Sequence, residues 1–541
     1  MNQVLIIAWR EVDRISRRFG SNTSPLVALL FLVVLGLSAF VLQDTVTLGS
    51  GLYQIGVTGD QPSIQDSRFI VVQVDKEQGE KLLAKQSIDV LIDGTQVLSR
   101  DDSKSQYAIR ALKQYLESSE LVRIGGVYPE AQAFPLRVRI NYLQETAIPD
   151  LNDTGGETSP IRPEEVIIPS LTPPPMPFSQ VLIALLYLLP ITFISIFFTS
   201  SFMEEKLNRR LTVLLSAPIT PFQIILGKML PYAVFALSAN ALIAVFTNGN
   251  VLLTLAIFIP TTMFVFAIYL MVPLFYRTFK DTTFIAMLVT TLTTAYLVAP
   301  AMFTDVNDIS YISPLTLAVK MYRNEPFGWR EYLFPSLPMV AIFGFAMFAG
   351  TRLLNEEFLM GYKPMTRKIR DAIYLLMAHA RPYLSVPLWS LLVIPGIYMA
   401  QIIFLVFASN LPLGLTLGVV LIASALMEEV VKSIGIVVLA DHGVVRTYRE
   451  ILWLSFLSAL GFLAGEKFLV LISISMVTQA PIANVLFEEG PLLLVPLIAH
   501  FIFISIVTLL KVKARLSYLT ALGAGALTHF LYNWYFLGGL R

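Results

Sequence analysis

Long apolar runs separated by short basic loops dominate the chain. Runs of roughly 20 apolar residues, the length that crosses a bilayer core, occur near 25–43, 179–201, 229–247, 251–275, 282–303, 333–354, 385–408, 411–440, 451–476, 490–510 and 516–537. Two of them, 229–247 and 251–275, are split only by Thr247-Asn-Gly-Asn250, and 411–440 is overlong. One polar stretch interrupts the pattern. Within 44–168, Tyr53–Val57, Phe69–Val74 and Ile88–Ile92 read as strands, and Lys76–Lys85 and Ser103–Ser119 as helices. A stiff spacer, Pro169-Ser-Leu-Thr-Pro-Pro-Pro-Met-Pro177, closes this stretch. The prediction is an all-α polytopic membrane protein with about 11 transmembrane helices and one inserted extracytoplasmic α/β domain.

Composition agrees. Of 541 residues, 55% are hydrophobic and 14% charged, against about 25% charged in a soluble protein; mean hydropathy is +0.68. The absence of cysteine excludes disulfides and thiolate-ligated metals. A net charge of +1 gives no reason to expect nucleic acid. Residues 1–18 form an amphipathic, basic stretch without the features of a cleavable signal. Loop arginines and lysines set the threading. They precede the first run and follow the second, fourth, sixth, eighth and tenth, so every second loop is basic. This places the N-terminus in the cytoplasm and residues 44–178 outside, in a multi-pass cell-membrane protein. Asn152-Asp-Thr154, a glycosylation sequon, falls on that outer side.

Between the second and third runs lies the charged segment Met203-Glu-Glu-Lys206 through Gly227-Lys228. A charged amphipathic helix in a cytoplasmic loop can dock a soluble partner, or can simply cover the bundle. With its basic N-terminal helix, single span, outer α/β domain and five-span bundle, the region 1–370 resembles type-2 ABC exporter permeases of the sodium-efflux type. The segment 203–228 is similar to their coupling region, and Ile312-Ser-Pro-Leu-Thr316 is also familiar from them. No Gly-x-x-x-x-Gly-Lys-Ser/Thr run occurs; Phe222 stands where the first glycine before Gly227-Lys228 would be. The chain therefore has no nucleotide site of that kind. A permease built this way needs a separate ABC ATPase subunit docking near 203–228, and by analogy a second copy to complete a pathway, hence a homodimer.

The last third carries charges where lipid should allow none: Glu428-Glu429-Val-Val-Lys432, Phe462-Leu-Ala-Gly-Glu466, His500, and His529-Phe-Leu-Tyr-Asn533. A central charge costs at least about 2.5–3.5 kcal/mol, so such groups mark function and pair with one another. Glu428, Glu466, His500 and His529 lie about 10–16 residues inside their runs, roughly 15–24 Å of travel at 1.5 Å per residue. All four fall in the middle third of a core roughly 30 Å thick. Spacings of four residues put Glu428 with Lys432, Phe462 with Glu466, and His529 with Asn533 on shared faces. A lone Glu–Lys pair reads as a helix-positioning bridge; four helices with polar groups at one level read as a single site. Such a carboxylate can activate water, and a histidine with an asparagine one turn on can hold an oxyanion. Alternatively two histidines and a carboxylate, from Glu466, His500 and His529, match a Zn2+ ligand set. Lys432 can keep a neighbouring carboxylate ionised.

These elements, in this order on successive hydrophobic helices, resemble the PrsW family of intramembrane proteases, relatives of the CAAX prenyl endopeptidases. The resemblance covers roughly 385–541. In the CAAX branch the pattern is Glu-Glu-x-x-x-Arg and Phe-x-x-x-His; here lysine comes one position earlier and Glu466 replaces the histidine, which sides with PrsW. The resemblance implies hydrolysis of a membrane peptide or protein in the bilayer; the alternative is an export permease only, with the C-terminal polar cluster a proton relay or an inactive remnant. Glu428 would activate water, Glu429 orient it, Glu466, His500 and His529 hold the water or a metal, and His529 with Asn533 stabilise the oxyanion. The expected organisation is an N-terminal helix and first span (1–43), an extracytoplasmic domain with its linker (44–178), a permease bundle (179–354), a basic cytoplasmic linker (355–384) and a protease bundle (385–541).

Overall fold

The computed structural model describes residues 2–19, 51–59, 64–66, 68–94, 96–100, 102–127, 178–304, 308–323, 325–377, 381–408, 411–478 and 494–538. The expected first span, the sequon, the proline-rich spacer and His379 lie outside these residues. The chain divides into two compact units, Gly49–Pro174 and the remainder. Helix α1 (Asn2–Phe19) opens the larger unit.

The smaller unit is the expected α/β fold: β1 (Tyr53–Thr58), β2 (Phe69–Gln73), α2 (Lys76–Ala84), β3 (Val90–Asp93), β4 (Gln96–Ser99) and α3 (Ser103–Val127). The sheet order is β2-β1-β3-β4, parallel except for the β3–β4 hairpin. Ile55, Val57, Val90, Ala108 and Leu112 form its core. A Cβ at Gly79 would sit 2.6 Å from Leu91, so glycine lets α2 lie close on the sheet. Strand β4 escapes a reading of the sequence because it is an edge strand without a buried residue, leaving no apolar alternation to see.

The larger unit is a helical bundle. Its first part comprises α4 (Phe178–Leu207), α5 (Arg210–Ser216), α6 (Pro221–Phe246), α7 (Val251–Phe275), α8 (Phe279–Ala301), α9 (Leu315–Tyr322) and α10 (Trp329–Leu353). Thr247-Asn-Gly-Asn250 does separate two helices: Asn248 takes positive φ, and Asn250 caps α7 by accepting from Leu253 N at 3.0 Å. Tyr187, Phe198, Phe258, Phe264, Tyr269 and Tyr296 fill the interior. Lipid is as apolar as these rings, so close packing and buried hydrogen bonds must supply the specificity. Thr199 Oγ1 donates to Tyr269 O at 3.0 Å between α4 and α7. The Ile312-Ser-Pro-Leu-Thr316 motif works locally: Ser313 Oγ donates to Leu297 O, and Thr316 Oγ1 to Ser310 O, tying α9 to the end of α8.

Two short helices, α11 (Glu356–Met360) and α12 (Met365–Leu376), lead to α13 (Pro382–Leu392), α14 (Ile394–Ala408), α15 (Leu413–Asp441), α16 (Tyr448–Thr478), α17 (Leu494–Val512) and α18 (Tyr518–Gly538). The run expected as one span at 385–408 is one candidate span, Pro382–Ala408, in which α13 and α14 meet at a turn at Val393, just before Pro395, whose missing N–H suits a helix start. Glycines set the crossings. A Cβ at Gly461 would lie 2.3 Å from Pro387 O, and one at Gly525 2.2 Å from Val507 Cγ2. Helix α14 packs on α15 and also on α8 and α10, with Ile402 in the core of the first part. Among the described residues eight helices are long and apolar enough to cross a membrane. Helices α15 and α18 stand where two further spans are expected. The chain is a polytopic membrane protein.

Candidate functional site

The polar groups of α15, α16, α17 and α18 converge. Spacings of three and four residues bring Glu428, Glu429 and Lys432 to one side of α15. Lys432, fully buried, is the centre. Its Nζ donates to Glu428 Oε2 and to Glu429 Oε1, each at 3.0 Å, and lies 2.9 Å from His500 Nδ1. His500 Nε2 is 3.3 Å from Glu466 Oε2, and Lys467 pairs with the other Glu466 oxygen at 3.2 Å. His529 Nδ1 is 3.0 Å from Glu429 Oε1, and its Nε2 is 3.8 Å from Glu428 Oε2. Six of the seven residues expected at the site thus form one connected network.

The donors determine the protons. An ammonium only donates, so His500 Nδ1 accepts and Nε2 carries the hydrogen toward Glu466. A carboxylate only accepts, so His529 Nδ1 carries the hydrogen toward Glu429 and Nε2 presents a lone pair. That lone pair faces Glu428 Oε2, which is also an acceptor. Two acceptors at this separation leave a place for a group with two hydrogens to give, such as water. Aromatic rings wall the site: Phe462 lies under the Lys432 ammonium at 4.0 Å, and Phe503 stacks on His529 at 4.8 Å. Glu429 Oε2 is buried without a hydrogen-bond partner.

Asn533, one turn beyond His529, is half-buried and is not among the partners of the network. Three residues join that the sequence did not single out. Gln401 Nε2 donates to Glu428 Oε1 at 3.2 Å. Ser458 Oγ donates to Lys432 O at 2.8 Å, and Ser433 Oγ to Glu429 O at 2.6 Å. Gln401 left a signal, being an amide inside the apolar run of α14. The serines left none, since hydroxyls bond to carbonyls throughout apolar helices.

The expected metal set is Glu466, His500 and His529. One ligand atom each from Glu428, His500 and His529 lie within 4.8 Å of one another, so Glu428 takes the place expected for Glu466. A cation could bridge that spacing, yet the lone pair of His500 is directed at Lys432, whose ammonium already supplies the positive charge. A Zn2+ ion held by Glu428, His500 and His529 would have to compete with Lys432 for both Glu428 Oε2 and His500 Nδ1.

A second charged cluster holds α1 against the 203–228 segment. Glu11, buried, accepts from Lys228 Nζ and Tyr232 OH, each at 3.0 Å, and from Ser201 Oγ. Burial pushes the Glu11 carboxyl up, but the Lys228 charge and the hydrogen bonds from Ser201 and Lys228 outweigh it and hold it below 4.5. Arg14 pairs with Glu205 and, at 3.2 Å, with Glu204; Lys228 reaches Glu205 at 2.8 Å. Gly227 makes room, since a Cβ there would meet Ile7 Cβ at 2.8 Å. The acids and lysines of this segment therefore point inward. Leu207, Arg209, Arg210, Val213 and Phe222 face outward.

A family model described as ABC-2 family transporter protein matches residues 25–353. No curated protein and no solved structure matches.

Proposed function

The chain belongs to the ABC-2 family of transporter proteins, and on that premise we propose that it is the membrane subunit of an exporter driven by a separate ATPase. The ATPase docks on the outward face of 203–228, where exposed Arg209 and Arg210 lie beside Val213 and Phe222. The observation that carries this reading is the partition of charge in that segment: Glu204, Glu205 and Lys228 seat α1 and Lys206 holds the end of α7, leaving a basic and apolar tip free. In this reading the N-terminus and 203–228 are cytoplasmic, residues 44–178 are extracytoplasmic, and a second copy completes the pathway. The test is purification of the full chain with its ATPase. ATP hydrolysis should depend on the chain, and Arg209→Glu with Arg210→Glu should abolish the dependence. Hydrolysis unaffected by this double substitution removes the docking assignment.

A second activity is favoured by the facing acceptors Glu428 Oε2 and His529 Nε2. We propose that the bundle α13–α18 hydrolyses peptide bonds of a membrane substrate without a metal. A water held between these atoms gives one proton to Glu428 while its oxygen attacks the scissile carbonyl. Its other hydrogen stays on the His529 lone pair. The proton on Glu428 then passes to the leaving amine as the C–N bond breaks. Lys432 holds Glu428 and Glu429 together through one ammonium, and Glu429 fixes the His529 tautomer. Asn533 supplies an amide donor for the oxyanion. Cleavage of membrane peptides by the full chain in nanodiscs, read by mass spectrometry, should disappear in Glu428→Gln and persist with a zinc chelator. Cleavage retained by Glu428→Gln overturns the activity; cleavage lost to the chelator restores the metal.

A further inference from the structure

A third set of charges belongs to neither cluster. Lys206, buried at the end of α4, donates to the carbonyls of Pro273 (2.7 Å), Leu274 (3.4 Å) and Tyr276 (2.8 Å). It thereby satisfies the terminal acceptors of α7. The next residue, Arg277, is exposed, with its guanidinium 5.4 Å from the Tyr362 ring. Lys368 on α12 is only 5% exposed, and its ammonium lies 5.0 Å from the Phe358 ring. Lys206 is within electrostatic reach of both Lys368 and Arg277. Of the nearby acids, Asp281 accepts from Thr278 Oγ1 at 2.6 Å, Asp371 pairs with Lys363 at 2.6 Å and Asp441 with Arg370 at 3.3 Å, while Glu356 and Glu357 are exposed on α11. No carboxylate pairs with Lys206, Arg277 or Lys368 among the described residues.

Three converging cations without an acid are unfavourable by themselves, and a buried ammonium held only by a ring is more so. Burial first, and then the Arg277 charge, push the Lys368 amine down to about 8. The α7 carbonyls account for Lys206, but nothing among the described residues compensates Arg277 and Lys368. An anion with several acceptor oxygens would do so, taking the Arg277 fork and the Lys368 ammonium together. The position narrows the anion. The site lies at the ends of the membrane helices α4 and α7, and beside it α12 exposes Ile369 with Arg367 and Arg370. A basic helix with an exposed apolar side chain suits the headgroup layer of a bilayer.

We infer that Arg277 and Lys368 form a phosphate-binding site at the membrane interface, filled by the headgroup of an anionic phospholipid, with Lys206 held beside it by the α7 carbonyls. The full chain in detergent, supplied with phosphatidylglycerol or phosphatidylcholine, is read by native mass spectrometry and by its thermal midpoint. Phosphatidylglycerol should be retained and should raise the midpoint; phosphatidylcholine should do neither. Lys368→Met, which preserves the stem on Phe358, and Arg277→Gln should each weaken retention about tenfold, the worth of one charge-assisted hydrogen bond. Lys363→Gln, at an exposed lysine paired with Asp371, should bind as the parent does. Inorganic phosphate at millimolar concentration forms a second arm. If it raises the midpoint as far as the lipid, and Lys368→Met removes the effect, the ligand is a soluble phosphate. Equal retention of phosphatidylglycerol by the parent, Lys368→Met and Arg277→Gln overturns the site. So does an unchanged midpoint in both arms, with folding verified for each variant by gel filtration.

Discussion

The two buried ion networks use similar residues toward different ends. Around Glu11, every acid meets a lysine or arginine, and tyrosine and serine hydroxyls complete the carboxylate. The groups there are joined in closed ion pairs and hydrogen bonds, so the network holds α1 in place. Around Lys432, two imidazoles stand between three carboxylates. An imidazole can both donate and accept through its two nitrogens, and one ring presents a free lone pair to an acid. A closed set of fixed charges is a clamp, whereas an open set containing imidazoles can move a proton. Aromatic rings flank both: Phe202 lies 6.0 Å from the Lys228 ammonium, and Phe462 lies 4.0 Å from that of Lys432.

The comparison can be broken in order of expected effect. Lys432→Met leaves Glu428 and Glu429 buried without their cation and should cost about 3–5 kcal/mol, seen as a large fall in thermal midpoint. Glu429→Gln added to it should restore part of that loss, because the two residues couple through one contact. In the clamp, Lys228→Met should cost less, about 3 kcal/mol at most, because Arg14 still holds Glu205; protease cutting within residues 2–19 would report the release of α1. Gly227→Ala forces a methyl against Ile7 and should cost about 1–3 kcal/mol, with the same proteolytic signature and the C-terminal network unchanged. The smallest effect concerns pH. Glu11 is held below its usual 4.5, so its stabilisation is complete above that value and is lost as pH falls through the lower folded-state value. Proteolysis of α1 should rise in that acidic window in the parent, and Glu11→Gln should be insensitive to pH there.

Much of this is legible in the sequence because depth in a membrane is read by counting. The positions of Glu428, Glu466, His500 and His529 along their apolar runs put them at one level, and they do meet. Which way each helix turns about its axis is not legible, and that decides contacts: Asn533 shares a helix face with His529 yet stays outside the network, while Gln401 enters it from α14. The paired runs around Asn248 are separable because turn residues divide them, but in 385–408 Pro395 marks an interruption without saying that the helix turns at Val393. In 203–228, composition announces a charged segment and cannot say that α1 covers Glu205 and Lys228. A distant helix takes those charges, which reverses the face available to a partner.

The separation of a coupling face from a reacting centre is tested most directly in one preparation. The full chain is purified with its ATPase, and ATP hydrolysis is measured for the parent, for Arg209→Glu with Arg210→Glu, and for Glu428→Gln. The account predicts that hydrolysis is lost in the double variant and retained in Glu428→Gln. Equal loss in both, or retention in the double variant, would contradict it.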